Sequence, residues 1–194
     1  MPFNAILGTQ SYNEVAVVDY SHPPIITTME PLADQGELAP GLMASRDDND
    51  KVVPFDGFDE SIGTGDGSKT DFSGTLSSAP VMPGRVEVTD GSETFTDDEQ
   101  GNLEGDAGGS GTINYITGDV SVTFNSAPAS DADIQASYVN RIAGVVTLRC
   151  DTANEDAVSV LEHGTVARNM LRKNGNDPSA EDIKSLRAAG IYPR

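Results

Sequence analysis

The chain has no tryptophan, one cysteine, two histidines and only twelve lysines and arginines among 194 residues, and each shortage closes off a class of explanation. A single cysteine, Cys150, excludes an internal disulfide framework. It ends the run Val145-Val146-Thr147-Leu148-Arg149-Cys150, which reads as a strand and makes the thiol a buried structural one. The two histidines, His22 and His163, fall in a proline-rich segment and at an expected hairpin corner, and no serine sits in a Gly-x-Ser-x-Gly turn. General acid–base work falls mostly to histidine, so a non-enzymatic protein with no catalytic residue and no cofactor is expected. A formal charge of -19 repels phosphate and removes nucleic acid as a ligand. No apolar run approaches the roughly 18 residues of a membrane span, so no membrane partner is expected. The N-terminus lacks the basic start and apolar stretch of a secretory signal, which points to synthesis in a cytoplasm.

The charge is unevenly placed. Residues 1–46 carry a net -4, residues 47–139 a net -16 and residues 140–194 a net +1. An acidic middle between nearly neutral ends marks the middle as a separate, solvent-facing unit and the ends as the parts that make contacts. A hydrophobic share of 37%, with five tyrosines and six phenylalanines, is lean, so part of the stability is expected to come from partners.

Residues 1–37 contain Pro2, Pro23, Pro24 and Pro31, show no helical period, and hold one short strand-like run, Val15 to Val18. Prolines remove donors and push their predecessors toward extended backbone, so this segment reads as an extended arm that lies along a partner and builds little core. Its apolar residues Phe3, Ile6, Leu7, Val15, Val17, Val18, Ile25 and Ile26 are the expected contact residues. Leu38 to Ala44 and Val52 to Phe55 then form two strands of a hairpin around the Asp/Asn-rich turn Arg46 to Asp50.

From Ile62 to Asn140 the composition shifts to Gly, Ser, Thr and Asp with apolar residues at every second position. Val86 and Val88, Ile113 and Tyr115, and Val120, Val122 and Phe124 alternate with polar neighbours, and Thr117-Gly118-Asp119 supplies a tight turn. Period two with short spacing predicts a small antiparallel β-sandwich. After it, a strand from Ile142 to Leu148 leads to Ala157–Leu161 and Thr165–Ala167, paired around His163 and Gly164. A helix follows, capped by Ser179 with Asp182 three residues on and stopped at Gly190, with Ile191 and Tyr192 folding back on its apolar face.

The fold expected is therefore mainly β (α+β): an N-terminal arm at 1–37, a discontinuous core at 38–61 plus 141–194 ending in a helix, and an inserted acidic β-sandwich at 62–140. Three further clusters have plainer readings than their chemistry first suggests. Asp47, Asp48 and Asp50, or Asp97, Asp98, Glu99 and Asp106, hold oxygens of the kind calcium takes, but Asx-rich turns need the same residues and no EF-hand spacing is present, so no metal site is assigned. Gly63 to Lys69 lacks the spacing of a phosphate loop and reads as a flexible junction between domains. Arg168, Arg172, Lys173, Lys184 and Arg187 read as ordinary helix and loop surface.

Two motifs on either side of the insertion carry a resemblance. Ala39-Pro40-Gly41-Leu42-Met43-Ala44 followed by Lys51-Val52-Val53-Pro54-Phe55-Asp56-Gly57 is similar to the small/Pro-Leu-Met strand, polar turn and aromatic-Asp-Gly strand of the lambda-type phage head decoration proteins. Ile142-Ala143-Gly144-Val145-Val146, then Ala157 through Val166, then Leu186-Arg187-Ala188-Ala189-Gly190-Ile191-Tyr192, resembles that family's Gly-containing strand, its hairpin and its closing helix with a Gly-Ile-Tyr end. The family usually runs directly from Asp-Gly to the next strand, and here the insertion intervenes. The resemblance implies a homotrimer on the outer surface of an expanded capsid lattice in the virion, whose N-terminal arms pair with the major capsid protein and cement it. The insertion would then project outward, with a possible host-surface ligand. The alternative is a phage surface or tail module whose sandwich recognises a host glycan or cell surface, although Tyr115, Phe124 and Tyr138 alternate as core residues do.

Overall fold

The computed structural model describes residues 17–194. Five short strands come first: β1 (Val18–Asp19), β2 (Ile25–Met29), β3 (Glu37–Leu38), β4 (Met43–Arg46) and β5 (Val52–Pro54). Eight follow in the middle: β6 (Gly57–Thr64), β7 (Asp71–Thr75), β8 (Val81–Thr89), β9 (Thr94–Asp97), β10 (Asn102–Gly105), β11 (Ser110–Ile113), β12 (Asp119–Thr123) and β13 (Asp133–Asn140). The chain ends with β14 (Ile142–Val146), β15 (Cys150–Asp151), β16 (Val158–Val166), helix α1 (Ala180–Ala188) and β17 (Ile191–Pro193). The protein is mainly β with one C-terminal α-helix among the described residues.

The core sheet has seven strands in the order β1-β16-β14-β4-β5, with β2 and β17 also on β16. β4 and β5 form the expected hairpin, their turn held by Asp47, whose Oδ1 accepts the N–H groups of Asn49 and Lys51. Strand β16 is the hub. On one edge it takes β2 at Val158–His163 and β1 at Thr165–Val166, and on the other β14 and the parallel β17. A continuous strand thus replaces the expected hairpin around His163, with a register irregularity between Leu161 and His163 absorbing the change of direction.

The N-terminal segment departs most from expectation. Val17 and Val18 are 2% and 8% exposed and join the cluster that includes Val166, Ile183, Leu186 and Ile191, and Met29 and Leu38 are buried in a second cluster. From Val17 onward the segment is part of the core and not a free arm. Pro23 and Pro24 fall in the break between β1 and β2, where no ladder bond is lost, which is why prolines did not prevent sheet formation. Cys150 is buried as expected, but it pairs with Leu38 on a separate small strand. The run leading to it breaks after Val146, leaving Leu148 66% exposed.

The middle strands form one eight-stranded antiparallel sheet, β6-β13-β8-β9-β10-β11-β12-β7. Its membership begins at Gly57, ahead of the composition change at Ile62, because Phe58 and Ile62 supply apolar positions that the intervening acids obscure. The sheet folds over on itself, sandwich-like, around Phe72, Val88, Phe95, Phe124, Ile134 and their neighbours. Its two outer strands meet by side-chain packing: a Cβ on Gly63 would lie 2.8 Å from the Phe72 ring, and one on Gly74 3.1 Å from Ile62. Only glycine permits that approach. The stretch from Gly63 to Lys69 is thus a turn inside this unit and no domain junction. It is tied down by Asp66, which accepts the N–H groups of Ser68 and Lys69, and by Gly65 and Gly67 bonded to Ala132 and Pro128.

Helix α1 starts as its sequence dictates. Ser179 Oγ accepts the Asp182 N–H while the Asp182 carboxylate accepts the Ser179 N–H, a reciprocal cap. Gly190 (φ +85°) ends it, and Ile191 returns to the core fully buried.

Candidate interaction surface

One open edge of the core sheet is the stretch β1–β2, which is paired to β16 on one side only, until residues 30–32 bond to Val52 of β5. Exposed apolar side chains collect there. Tyr20, Ile25 and Ile26 are 73%, 56% and 41% exposed, and Tyr192, on the opposite flank of β16, is 43% exposed. Ile25 and Ile26 lie opposite the β16 irregularity, at the end of β2 nearest the turn. An edge strand with unpaired backbone groups and exposed isoleucines is a template for a further strand, which proteins normally blunt with charge or cover.

Side-chain contacts back this edge. His22 packs edge-on to His163 with ring centroids 5.1 Å apart, and His163 packs edge-on to Tyr192 at 6.3 Å. The loop before Ile25 is anchored by Thr165, whose hydroxyl donates to the Asp19 carbonyl and lies 3.3 Å from the Ser21 hydroxyl, and Arg194 Nη1 donates to Ser21 Oγ at 3.1 Å. Thr27 donates to Glu162, which also takes Arg46 at 2.7 Å. His163 is half-buried between the exposed His22 and Tyr192 rings.

Of the expected contact residues, Phe3, Ile6, Leu7 and Val15 lie outside the described residues. Val17 and Val18 face the protomer's own interior and have no free surface to offer, a correction to their assignment. Ile25 and Ile26 are on the open edge. Sequence reasoning missed Tyr20 and Tyr192; the signal for Tyr192 was its alternation with the buried Ile191 and Pro193, which turns it outward.

The acidic clusters are occupied by their own backbone. Asp98 accepts the N–H groups of Gln100 and Asn102, and Asp97 accepts Glu99 N–H, Gly84 N–H and the Tyr115 hydroxyl. Hydrogen bonds to Asn102 and Gln100 hold the Asp98 carboxyl below its ordinary range, while burial, reinforced by the bond to Asp97, pushes the Tyr115 hydroxyl upward. Among the described residues no three His, Cys, Asp or Glu side chains are grouped so as to hold a metal ion. Cys150 has its thiol pushed up by burial and by Glu155 and Asp151, the reverse of an activated nucleophile. A groove of about 850 Å³ is lined by Met82, Glu99 and Tyr115 of the insertion and by Arg141, Ile142, Glu162 and Ala189 of the core. Lys173, read from sequence as ordinary surface, is instead turned inward over the Phe55 ring, 5.1 Å from its centroid.

No family model, curated protein or solved structure matches this chain.

Proposed function

We propose that the protein is a non-enzymatic capsid decoration protein that binds the outer surface of an expanded phage head as a trimer and cements it, with the acidic insertion facing outward. The reading rests on the two motifs flanking the insertion. The single structural observation that supports it is the open β1–β2 edge with its exposed Ile25 and Ile26, directly after the N-terminal segment. A neighbouring subunit's strand added to this edge would satisfy backbone donors and acceptors and cover both isoleucines, each worth about 1.5–3 kcal/mol when fully buried.

One such contact is weak, because ordering extended backbone costs about 1–2 kcal/mol per residue. Three copies on one trimeric body act together, and effective concentration multiplies avidity by roughly 10² to 10⁴ where geometry permits. That arithmetic suits a clamp across joints strained by packed DNA. The insertion's net negative charge would hold neighbouring virions apart.

The test is co-sedimentation of the purified protein with empty expanded heads, alongside light scattering to count subunits. Saturable binding by a trimer is the expected result, and Ile25→Lys with Ile26→Lys should abolish it without changing the fold. A monomer that ignores expanded heads, or a double variant that still binds, refutes the proposal.

A further inference from the structure

The insertion has two basic residues, Lys69, over the Phe72 ring in the turn after β6, and Arg85, in β8. In so acidic a unit Arg85 would ordinarily sit amid its own carboxylates. It points instead to the core helix: Arg85 Nη2 lies 3.3 Å from Asp182 Oδ1, and Arg85 Nη1 lies 3.4 Å from Ser185 Oγ. The Asp182 side chain is 3% exposed, although Asp is almost never fully buried without partners. Its two oxygens divide the work. Oδ2 accepts the N–H and hydroxyl of Ser179 and so closes the helix cap, and Oδ1 takes Arg85 from the insertion and, at 3.5 Å, Lys173 from the core.

We infer that Arg85 is an interdomain latch, through which the insertion completes the charge balance of the core helix, so that the β8 stretch around Arg85 and helix α1 open together. One buried carboxylate serves both the start of the helix and the docking of the insertion. Losing Arg85 leaves that charge compensated by Lys173 alone, and losing Asp182 frees both the helix cap and the insertion. Further contacts lie along the same boundary: Met82 packs against the core cluster, Arg141 N–H donates to the Pro80 carbonyl at 2.7 Å, and Asn140 bridges Asp56 N–H and the Pro54 carbonyl. These hold the base of the insertion, whereas Arg85 reaches across to a separate element. The inference does not depend on what the protein binds.

Peptide-resolved hydrogen exchange on the full chain tests it. In Arg85→Met, which keeps the apolar stem, exchange should rise in two places at once, in α1 and in the β8 stretch around Arg85, by about tenfold, the scale of one lost charged hydrogen bond. The β12 stretch, inside the insertion, should be unchanged. Asp182→Asn should accelerate the same two regions, and the double variant should add little to either single one. Arg85→Lys should fall between wild type and Arg85→Met. Should Arg85→Met fail to fold, Arg85→Gln, which keeps a donor beside Asp182 but removes the charge, supplies the same comparison. Acceleration confined to β8, or a double variant whose effects simply sum, would overturn the latch.

Discussion

Glu93 sits 4% exposed beneath the rim of the insertion and accepts the Gly109 backbone N–H at 2.6 Å through one carboxylate oxygen. Its other oxygen accepts the Asn125 N–H at 2.8 Å, so one side chain ties the β10–β11 turn to the segment leaving β12. Replacing it with alanine leaves two N–H groups without their acceptor. We expect Glu93→Ala to cost about 2–3 kcal/mol, given that hydrogen bonds to charged groups contribute about 1.5–3 kcal/mol each and that water reaches the vacated site. Urea denaturation followed by far-ultraviolet circular dichroism measures it; a change within 0.5 kcal/mol would show that the clasp is idle.

The aromatic centre of the insertion should be equally sensitive. Phe95 is fully buried and meets Phe124 edge-on with centroids 4.8 Å apart. Phe95→Ala should lower stability by about 3–5 kcal/mol, and Phe95→Leu by distinctly less, because most of the volume remains. Equal losses in the two variants would mean that the ring geometry, not the filled space, carries the stabilisation.

Acid should undo the boundary between insertion and core. Burial raises the Asp182 carboxyl, but hydrogen bonds from Ser179 and the charges of Lys173 and Arg85 outweigh that and hold it below its ordinary range. A carboxylate depressed in the folded state stabilises fully above its unfolded value, about 3.9, and loses that contribution as pH falls through the lower folded value. The groups facing it are Arg85, Lys173 and Ser179, with Ser185 on Arg85, while Glu181 and Lys184 pair with each other outside. Melting temperatures recorded from pH 6 to pH 2 should therefore fall less steeply for Asp182→Asn than for wild type below about pH 4. Parallel curves would remove Asp182 from the acid response.

Cys150 offers a simple probe of the β3–β15 contact. With the thiol buried and pushed upward, it should resist an aromatic disulfide reagent at pH 8 in the native protein and react at once in denaturant. Rapid native labelling would show that Leu38 and its neighbours leave the sulfur open.

Much of the fold was legible where local chemistry and periodicity agreed. Ser179 and Asp182 announced the helix start and Gly190 its end, and alternation through Val86, Val88, Val120 and Val122 announced the folded-over sheet. The N-terminal segment was illegible because Pro23, Pro24 and Pro31 signal an arm, whereas only their placement between strands, seen in three dimensions, lets Val17, Val18 and Met29 be buried. Of the interaction surface, Ile25 and Ile26 were readable as apolar residues, but their place on an edge strand depends on pairing with β16, far away in sequence. The pairing of Arg85 with Asp182 was not legible, since a contact between residues 97 positions apart leaves no local pattern.

Gly57 and Val139 face each other at the base of the insertion, so the strands that enter and leave it are neighbours. A host built this way can accept a foreign module at one point without rethreading its own sheet, much as a graft joins a rootstock at one cut. The choice of graft is nonetheless restricted: a replacement needs an arginine or its equivalent above Asp182, and cargo exchanged without one would weaken the host's only α-helix among the described residues.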